Sequence, residues 1–297
     1  MMDYKLVEAF AAVVSEGGFE KAAQSLHLTQ GAVSQRVKLL EEQTGCVLLV
    51  RSSPPAPTAA GREMLKHFRK VKQLEEDLGP GLGQEREGFT TLPVGINADS
   101  LATWFFPALN GYLDTEPVLL DLRVDDQAAT LELLRDGDVL GCISDRAQPL
   151  QGCRVEYLGD MDYRLYCTPS YKTKWFKNII TIEGMEQAPI LIFNRKDRMH
   201  GILLEQKLGQ KPHHQAAFYL PSSEQFAPAI ASGRVSGMLP DQQAEAYVER
   251  GELVDLLPGH VFTVRLHWQC WNLESNRLAE FTEALVTGAS QELVQRP

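Results

Sequence analysis

The stretch Gly18-Phe19-Glu20-Lys21-Ala22-Ala23-Gln24-Ser25-Leu26-His27-Leu28-Thr29-Gln30-Gly31-Ala32-Val33-Ser34-Gln35-Arg36-Val37-Lys38-Leu39-Leu40-Glu41 spells two short helices joined by a tight turn. Ala22, Ala23 and Leu26 mark the packed face of the first. Thr29 stands where it can cap a second helix whose buried stripe is Val33, Val37 and Leu40. At about 100° per residue, Gly31, Ser34, Gln35 and Lys38 point away from that stripe. Together with Thr29 and Gln30 they offer small, amide and cationic groups of the kind that meet base edges and phosphates. The pattern is that of a DNA-reading element; the alternative is an ordinary amphipathic helix pair with a solvated polar face.

Beyond this element the chain is long: 297 residues suit a small N-terminal unit followed by a larger, two-lobed one. Its 44% hydrophobic content suffices for a substantial core, and its formal charge of −10 argues against a protein that coats nucleic acid indiscriminately. Lys5, Lys21, Arg36, Lys38 and Arg51, with Lys66, Arg69, Lys70 and Lys72, can still form a local positive patch. That head is electrostatically weak and gains from doubling on one DNA. The N-terminus lacks a basic segment followed by an apolar run, and no 18-residue apolar stretch occurs, so a cytoplasmic protein with no membrane partner is expected. Cys46, Cys142, Cys153, Cys167 and Cys270 show no CxxC or Cys/His spacing and read as buried free thiols, with no metal site and no cofactor expected.

After Thr58, a candidate N-cap, Met64, Leu65, Phe68, Val71, Leu74 and Leu78 recur at helical steps until Gly79-Pro80-Gly81 ends the run. This apolar stripe needs a partner, either its own head or a second copy. The Gly-rich segment to Gly88 follows a helix rather than a strand, so it is a linker and not a phosphate loop. From Thr91 short apolar runs alternate with amphipathic segments. Strands are expected at Leu92 to Ile96, Val118 to Val124, Val139 to Ser144, Leu165 to Cys167, Ile190 to Phe193, Ala217 to Leu220, Val235 to Leu239 and Leu266 to Cys270. Helices are expected at Ser100 to Tyr112, Ala129 to Arg135, Gly201 to Leu208, Glu224 to Ser232, Gln242 to Val248 and Ser275 to Gly288. The fold class is therefore α/β overall, with ligands expected outside the carboxyl ends of the strands.

From about Tyr4 to Gly61 the chain resembles the winged helix-turn-helix of LysR-type transcriptional regulators. The resemblance rests on Phe10, Val13 and Val14, then Gly17-Gly18-Phe19, Ala22-Ala23, Leu28-Thr29-Gln30, Ala32-Val33-Ser34-Gln35, Leu40-Glu41, and Gly45 through Arg51. It implies a DNA-binding domain over residues 1–60, a dimerisation helix and hinge over 58–90, and a periplasmic-binding-protein-like effector domain over 91–297. Lobe one is then about 91–160 plus 263–297, and lobe two about 161–262. It places Gln30, Gly31, Ser34, Gln35 and Lys38 in or beside the major groove, with a wing at Arg51, Ser52 and Ser53 on the backbone. The wing departs from the family pattern, carrying Pro54-Pro55-Ala56-Pro57 where relatives have basic residues.

Asn97-Ala98-Asp99-Ser100-Leu101-Ala102-Thr103-Trp104-Phe105, Arg123-Val124-Asp125-Asp126-Gln127, Arg51 to Thr58, and Trp268-Gln269-Cys270-Trp271 narrow the resemblance to the ArgP/LysG branch. That branch implies a basic amino acid, lysine or arginine, as effector and control of amino-acid export or metabolism genes. Its implied partners are promoter DNA, a second or further copies of the chain as homodimer or homotetramer, and RNA polymerase. Asn97, Asp99 and Ser100 leave a strand and enter a helix, where they either hold a ligand carboxylate or cap the helix. Asp125, Asp126, Ser144 and Asp145 follow strands, as candidates to pair with an ammonium or guanidinium or as solvated surface. Asn194, Arg195, Ser222 and Glu224 occupy lobe-two loops facing the cleft, and Arg198 stands where relatives carry an acid. No HExxH, GxSxG or P-loop occurs, so no catalytic residue is assigned. The remaining alternatives are a cytoplasmic solute-binding protein or cleft enzyme of similar fold, and a replication-linked or architectural DNA-binding protein.

Overall fold

A computed structural model of the chain describes residues 2–50, 52–81, 88–125, 127–177, 179–210, 212–213 and 216–296. Arg51, Asp126 and the linker residues 82–87 lie outside them. The N-terminal head begins with α1 (Tyr4–Ser15), capped by the Asp3 side chain, followed by α2 (Phe19–Ser25) and α3 (Gln30–Thr44). Thr29 caps α3 by accepting from the Ala32 amide at 3.2 Å, and Gly45 ends the helix in the left-handed region. The three helices meet through Val7, Phe10, Val13, Ala22, Val33, Val37 and Leu40, the apolar stripes that the 3.6-residue period marks. Strands β1 (Leu49–Val50) and β2 (Ala56–Pro57) pair antiparallel as a short wing.

Helix α4 (Ala59–Gly81) follows, 23 residues or about 35 Å long. The Thr58 hydroxyl accepts from the Gly61 amide and donates to the Val47 carbonyl, which joins the helix start to the wing. A β-carbon at Gly61 would run into the Leu48 carbonyl, so only glycine lets helix and wing approach this closely. Leu65, Met64 and Phe68 pack into the head, whereas Leu74 stays exposed. Among the described side chains the apolar stripe of α4 is thus divided: Met64, Leu65 and Phe68 lie on its own head, and Leu74 does not.

The rest of the chain builds one nine-stranded sheet flanked by helices. In chain order come β3 (Thr90–Ile96), α5 (Ala98–Ala102), α6 (Phe105–Thr115), β4 (Val118–Val124), α7 (Gln127–Asp136), β5 (Gly141–Ser144) and β6 (Cys153–Cys167). Then follow α8 (Pro169–Phe176), α9 (Ile182–Gln187), β7 (Ile190–Ile192), α10 (Met199–Leu208), β8 (Ala217–Tyr219) and a 3₁₀ turn at Ser223–Gln225. The chain closes with α11 (Phe226–Ala231), β9 (Ser236–Pro240), α12 (Asp241–Glu249), β10 (Val254–Asp255), β11 (Phe262–Trp271) and α13 (Asn276–Glu292). Strand order is β4-β3-β5-β11-β6-β9-β7-β8, with β10 on β6. Parallel β3, β4 and β5 form lobe one, parallel β7, β8 and β9 form lobe two, and antiparallel β6 and β11 cross between them. Residues 160 and 263, the expected lobe limits, fall inside these crossing strands.

Three expectations change. The single helix expected from Ser100 to Tyr112 is two, because Pro107 has no amide to donate and must sit in a first turn, while the Thr103 hydroxyl donates to the Asp99 carbonyl at 2.7 Å. Strand β6 extends twelve residues earlier than Leu165; Arg154, Glu156, Asp160 and Asp162 broke its apolar pattern, and they are accommodated by ion pairs to Arg265 and Arg296 or at partly open positions. Helices α8 and α9 were not anticipated: each is short and opened by a threonine cap, at Thr168 and Thr181.

Candidate functional site

On the head, Gln30, Gly31, Ser34, Gln35 and Lys38 form the exposed side of α3, opposite the buried Val33, Val37 and Leu40. Lys38 pairs with Glu42 at 3.6 Å, both side chains exposed, a contact weak enough to exchange for a phosphate. Ser52 is exposed and its hydroxyl donates to the Pro54 carbonyl at 2.6 Å, bracing the turn of the wing. A cleft of 380 Å³ separates α3 from the wing, lined by Gln30, Ser34, Lys38 and Glu41 on one side and Leu49, Ser52 and Pro55 on the other. Glu41 bridges it: one carboxylate oxygen accepts from the Leu48 and Leu49 amides at 2.7 and 3.2 Å. The sequence reading gave Glu41 no role. Its position one residue after the last buried leucine of α3 is the signal that was available.

The second site lies where the two lobes face each other. Ile96 ends β3, and the chain turns through Asn97 into α5, which carries Asp99 between the lobes. The half-buried Asp99 accepts from two hydroxyls, Tyr163 of β6 at 2.8 Å and Ser223 of the 3₁₀ turn at 2.5 Å. Gln243, in the first turn of α12, donates its side-chain amide to Ser223 at 2.9 Å. Two elements distant in sequence, β6 and the 3₁₀ turn, therefore meet on the one carboxylate of α5, and α12 braces the second of them through Ser223. Burial raises the pKa of Asp99 above the ordinary carboxylate value, the Ser223 and Tyr163 bonds oppose that shift, and Asp197 of lobe two adds like-charge repulsion. Asp197 itself accepts from the Met199 amide at the start of α10.

Polar atoms without a protein partner gather on the same facing segments. The Asn97 Oδ1, the Ser100 hydroxyl and the Trp104 indole N–H are buried and unpartnered on the lobe-one side, as are the side-chain oxygens of Gln242 and Gln243 on the other. Leaving such atoms unpaired in a closed protein costs free energy.

The other expected cleft residues are placed differently. Asp125 is exposed at the end of β4, its amide donating to the Ile96 carbonyl beside Asn97. Ser144 is buried and its hydroxyl accepts from the Arg146 amide, a turn brace, while Asp145 is exposed. Asn194 accepts from the Lys196 and Asp197 amides of its own loop, and Arg195 stacks over Tyr219 at 5.0 Å, so neither enters the Asp99 network. Ser222 and Glu224 flank the residue that does, Ser223, because the 3₁₀ turn aims only the middle of that trio at Asp99. Tyr163 and Gln243 were missed altogether. Among the described residues no helix is long and apolar enough to cross a membrane, and no group of three His, Cys, Asp or Glu is arranged to hold a metal.

Residues 4–62 match the family model for the bacterial regulatory helix-turn-helix protein, lysR family, and residues 86–289 match that for the LysR substrate binding domain. The HTH-type transcriptional regulator ArgP of Pseudomonas aeruginosa (strain UCBPP-PA14) is 41% identical over 300 residues, covering 99% of this chain and 98% of its own. The crystal structure of ArgP from Mycobacterium tuberculosis is similar with a TM-score of 0.90 at 33% identity, covering 100% of both chains. Full-length LysG from Corynebacterium glutamicum with bound effector Arg is similar with a TM-score of 0.81 at 34% identity, covering 99% of this chain and 100% of the other. The chain belongs to the LysR-type transcriptional regulators, in the branch that holds ArgP and LysG: it is a DNA-binding regulator with a small-molecule effector domain, and not an enzyme.

Proposed function

We propose that this regulator senses a basic amino acid, arginine or lysine, in the inter-lobe cleft and controls genes of amino-acid export or metabolism. The observation that carries the reading is Asp99. Its carboxylate accepts only from neutral hydroxyls, and a second acid, Asp197, acts on it from the opposite lobe. A negative, partly desolvated site of this kind favours a guanidinium or ammonium. The buried hydroxyl of Ser100 and the Trp104 N–H offer donors for the α-carboxylate, and the Asn97 carbonyl oxygen offers an acceptor for the α-amino group. The arginine bound by the similar LysG structure supports the same chemistry. The exposed Asp125 and Asp145 act as long-range contributions to the field of the cleft.

On the head, Thr29, Gln30, Gly31, Ser34, Gln35 and Lys38 are the groove-facing residues and Arg51 and Ser52 belong to the wing. Thr29 acts by setting the start of α3, and the others by contact with bases or phosphates. The regulator acts in the cytoplasm as a homodimer or homotetramer, the exposed Leu74 of α4 supplying part of the contact between copies. Two heads then sit on half-sites about 34 Å apart or a multiple of it, within reach of RNA polymerase. Calorimetric titration of the purified protein with L-arginine, L-lysine and L-leucine tests the effector. Heat from the first two and none from leucine is the expected result; no binding of either cation by folded protein sinks the assignment and leaves the DNA-binding head standing.

A further inference from the structure

The linker helix touches lobe one along a single side. Lys66, Arg69, Lys70 and Gln73 recur at spacings of three and four residues and so share a face of α4. Arg69 Nη1 donates to the Gly137 carbonyl at 2.6 Å and to Asp138 Oδ1 at 2.8 Å. Lys70 Nζ lies 5.0 Å from the centre of the Trp271 ring, and Gln73 is buried. Gly137 is left-handed, with φ of +79°, and a β-carbon there would sit 2.9 Å from Lys66 Cβ, so the turn presents bare backbone to the helix.

That turn is the far end of α7, and the near end of α7 lies at the cleft. Asp125, two residues before α7, donates its amide to the Ile96 carbonyl, immediately before Asn97. The buried Thr130 hydroxyl donates to the Ile143 carbonyl at 3.1 Å, beside Ser144. Leu131 and Leu134 anchor the helix in the core of lobe one. At ten residues α7 spans about 15 Å between the two places. The two attachments of α4 also differ in kind. Met64, Leu65 and Phe68 fix it to the head by apolar packing, whereas its hold on lobe one is polar and, at the Arg69–Asp138 pair, partly exposed. Partly exposed ion pairs are weak and exchange readily, whereas packed apolar contacts do not.

We propose that Arg69 is a positioning residue for regulation: by gripping the Gly137–Asp138 turn it ties the placement of the DNA-binding head to the cleft through α7, and a bound effector changes that grip. The identity of the effector rests on the basic-amino-acid reading; the grip itself does not. Coupling of this kind is measured as the ratio of operator affinities with and without effector.

The test is a charge-reversal cycle in the full-length protein: Arg69→Asp, Asp138→Arg and the double variant, each checked for folding by its melting curve. Affinity for a duplex selected by the wild-type protein is measured by fluorescence anisotropy with and without saturating L-arginine. Each single reversal is expected to change the affinity ratio by roughly 2- to 30-fold, and the double variant to return towards the wild-type ratio. Single variants with the wild-type ratio, or a double in which the two effects merely add, overturn the proposal. If arginine leaves the wild-type affinity unchanged, the effector reading fails, and the grip is judged on the unliganded series. There a change of affinity restored in the double supports it, and additive changes overturn it. Should a reversal not fold, Arg69→Gln and Asp138→Asn give a neutral cycle at nearly constant size, in which the double is expected to match either single, and a double equal to the sum of the two overturns the proposal.

Discussion

The recognition helix and the inter-lobe cleft place their working groups in opposite ways. On α3 those groups are neighbours in sequence, exposed, and fixed in direction by the buried Val33, Val37 and Leu40 beneath them. In the cleft the central carboxylate is half-buried, and its partners Tyr163 and Ser223 arrive from β6 and a 3₁₀ turn, with Gln243 of α12 behind Ser223. A site displayed on one helix needs only a stable helix. A site assembled between lobes depends on the whole sheet holding distant segments in register.

That contrast ranks the expected consequences of substitution. Asp99→Asn removes the charge opposite a cationic ligand and should weaken arginine binding by about 2–5 kcal/mol while leaving operator affinity without effector unchanged, as read by calorimetry and anisotropy. Glu41→Ala frees the Leu48 and Leu49 amides and should lower head stability by roughly 1.5–3 kcal/mol, with Glu41→Gln recovering much of it because an amide oxygen still accepts; melting curves of the full chain separate the two. Gln35→Ala should cost about 1–3 kcal/mol on the selected operator and little on random duplex. Equal losses on both would deny it a base-reading role. Lys38→Ala should weaken all duplexes alike and reduce the salt slope by about one.

The raised pKa of Asp99 gives the cleft a pH signature. A cation binds the ionised carboxylate, so arginine affinity is full above the raised value and falls as pH drops through it, at higher pH than an ordinary aspartate would show. Stability of the unliganded fold runs the other way. Between the ordinary and the raised value the folded chain holds a proton on Asp99 that the unfolded chain has lost, so this group costs stability as pH rises through that window. Arginine titrations and melting curves of the unliganded protein across a pH series, on wild type and Asp99→Asn, check the two signs; a wild-type affinity that rises on acidification would contradict the first, and a stability cost that Asp99→Asn does not relieve would contradict the second.

The same contrast explains what could be read from the chain alone. Thr29, Val33, Val37 and Leu40 disclose α3 and its exposed side because helical periodicity is local information. Asp99 and Ser100 were reachable because they follow a strand. Tyr163 was not: it lies within β6, whose interspersed Arg154, Glu156, Asp160 and Asp162 obscure a strand that the crossing between lobes requires. Ser223 was confused with its neighbours Ser222 and Glu224, since which residue of a tight turn faces inward depends on backbone direction and not on residue type. The division of the α4 stripe between head and open surface likewise follows from tertiary packing that no spacing encodes.

The measurement that joins the two regions is operator affinity as a function of L-arginine concentration, in wild type and in Asp99→Asn. The account predicts that arginine shifts wild-type affinity and leaves Asp99→Asn unmoved at the same concentrations, with equal affinities for the two proteins when no effector is present. An Asp99→Asn protein that responds to arginine at the wild-type concentration would contradict it, and would move the sensing site away from the carboxylate held between the lobes.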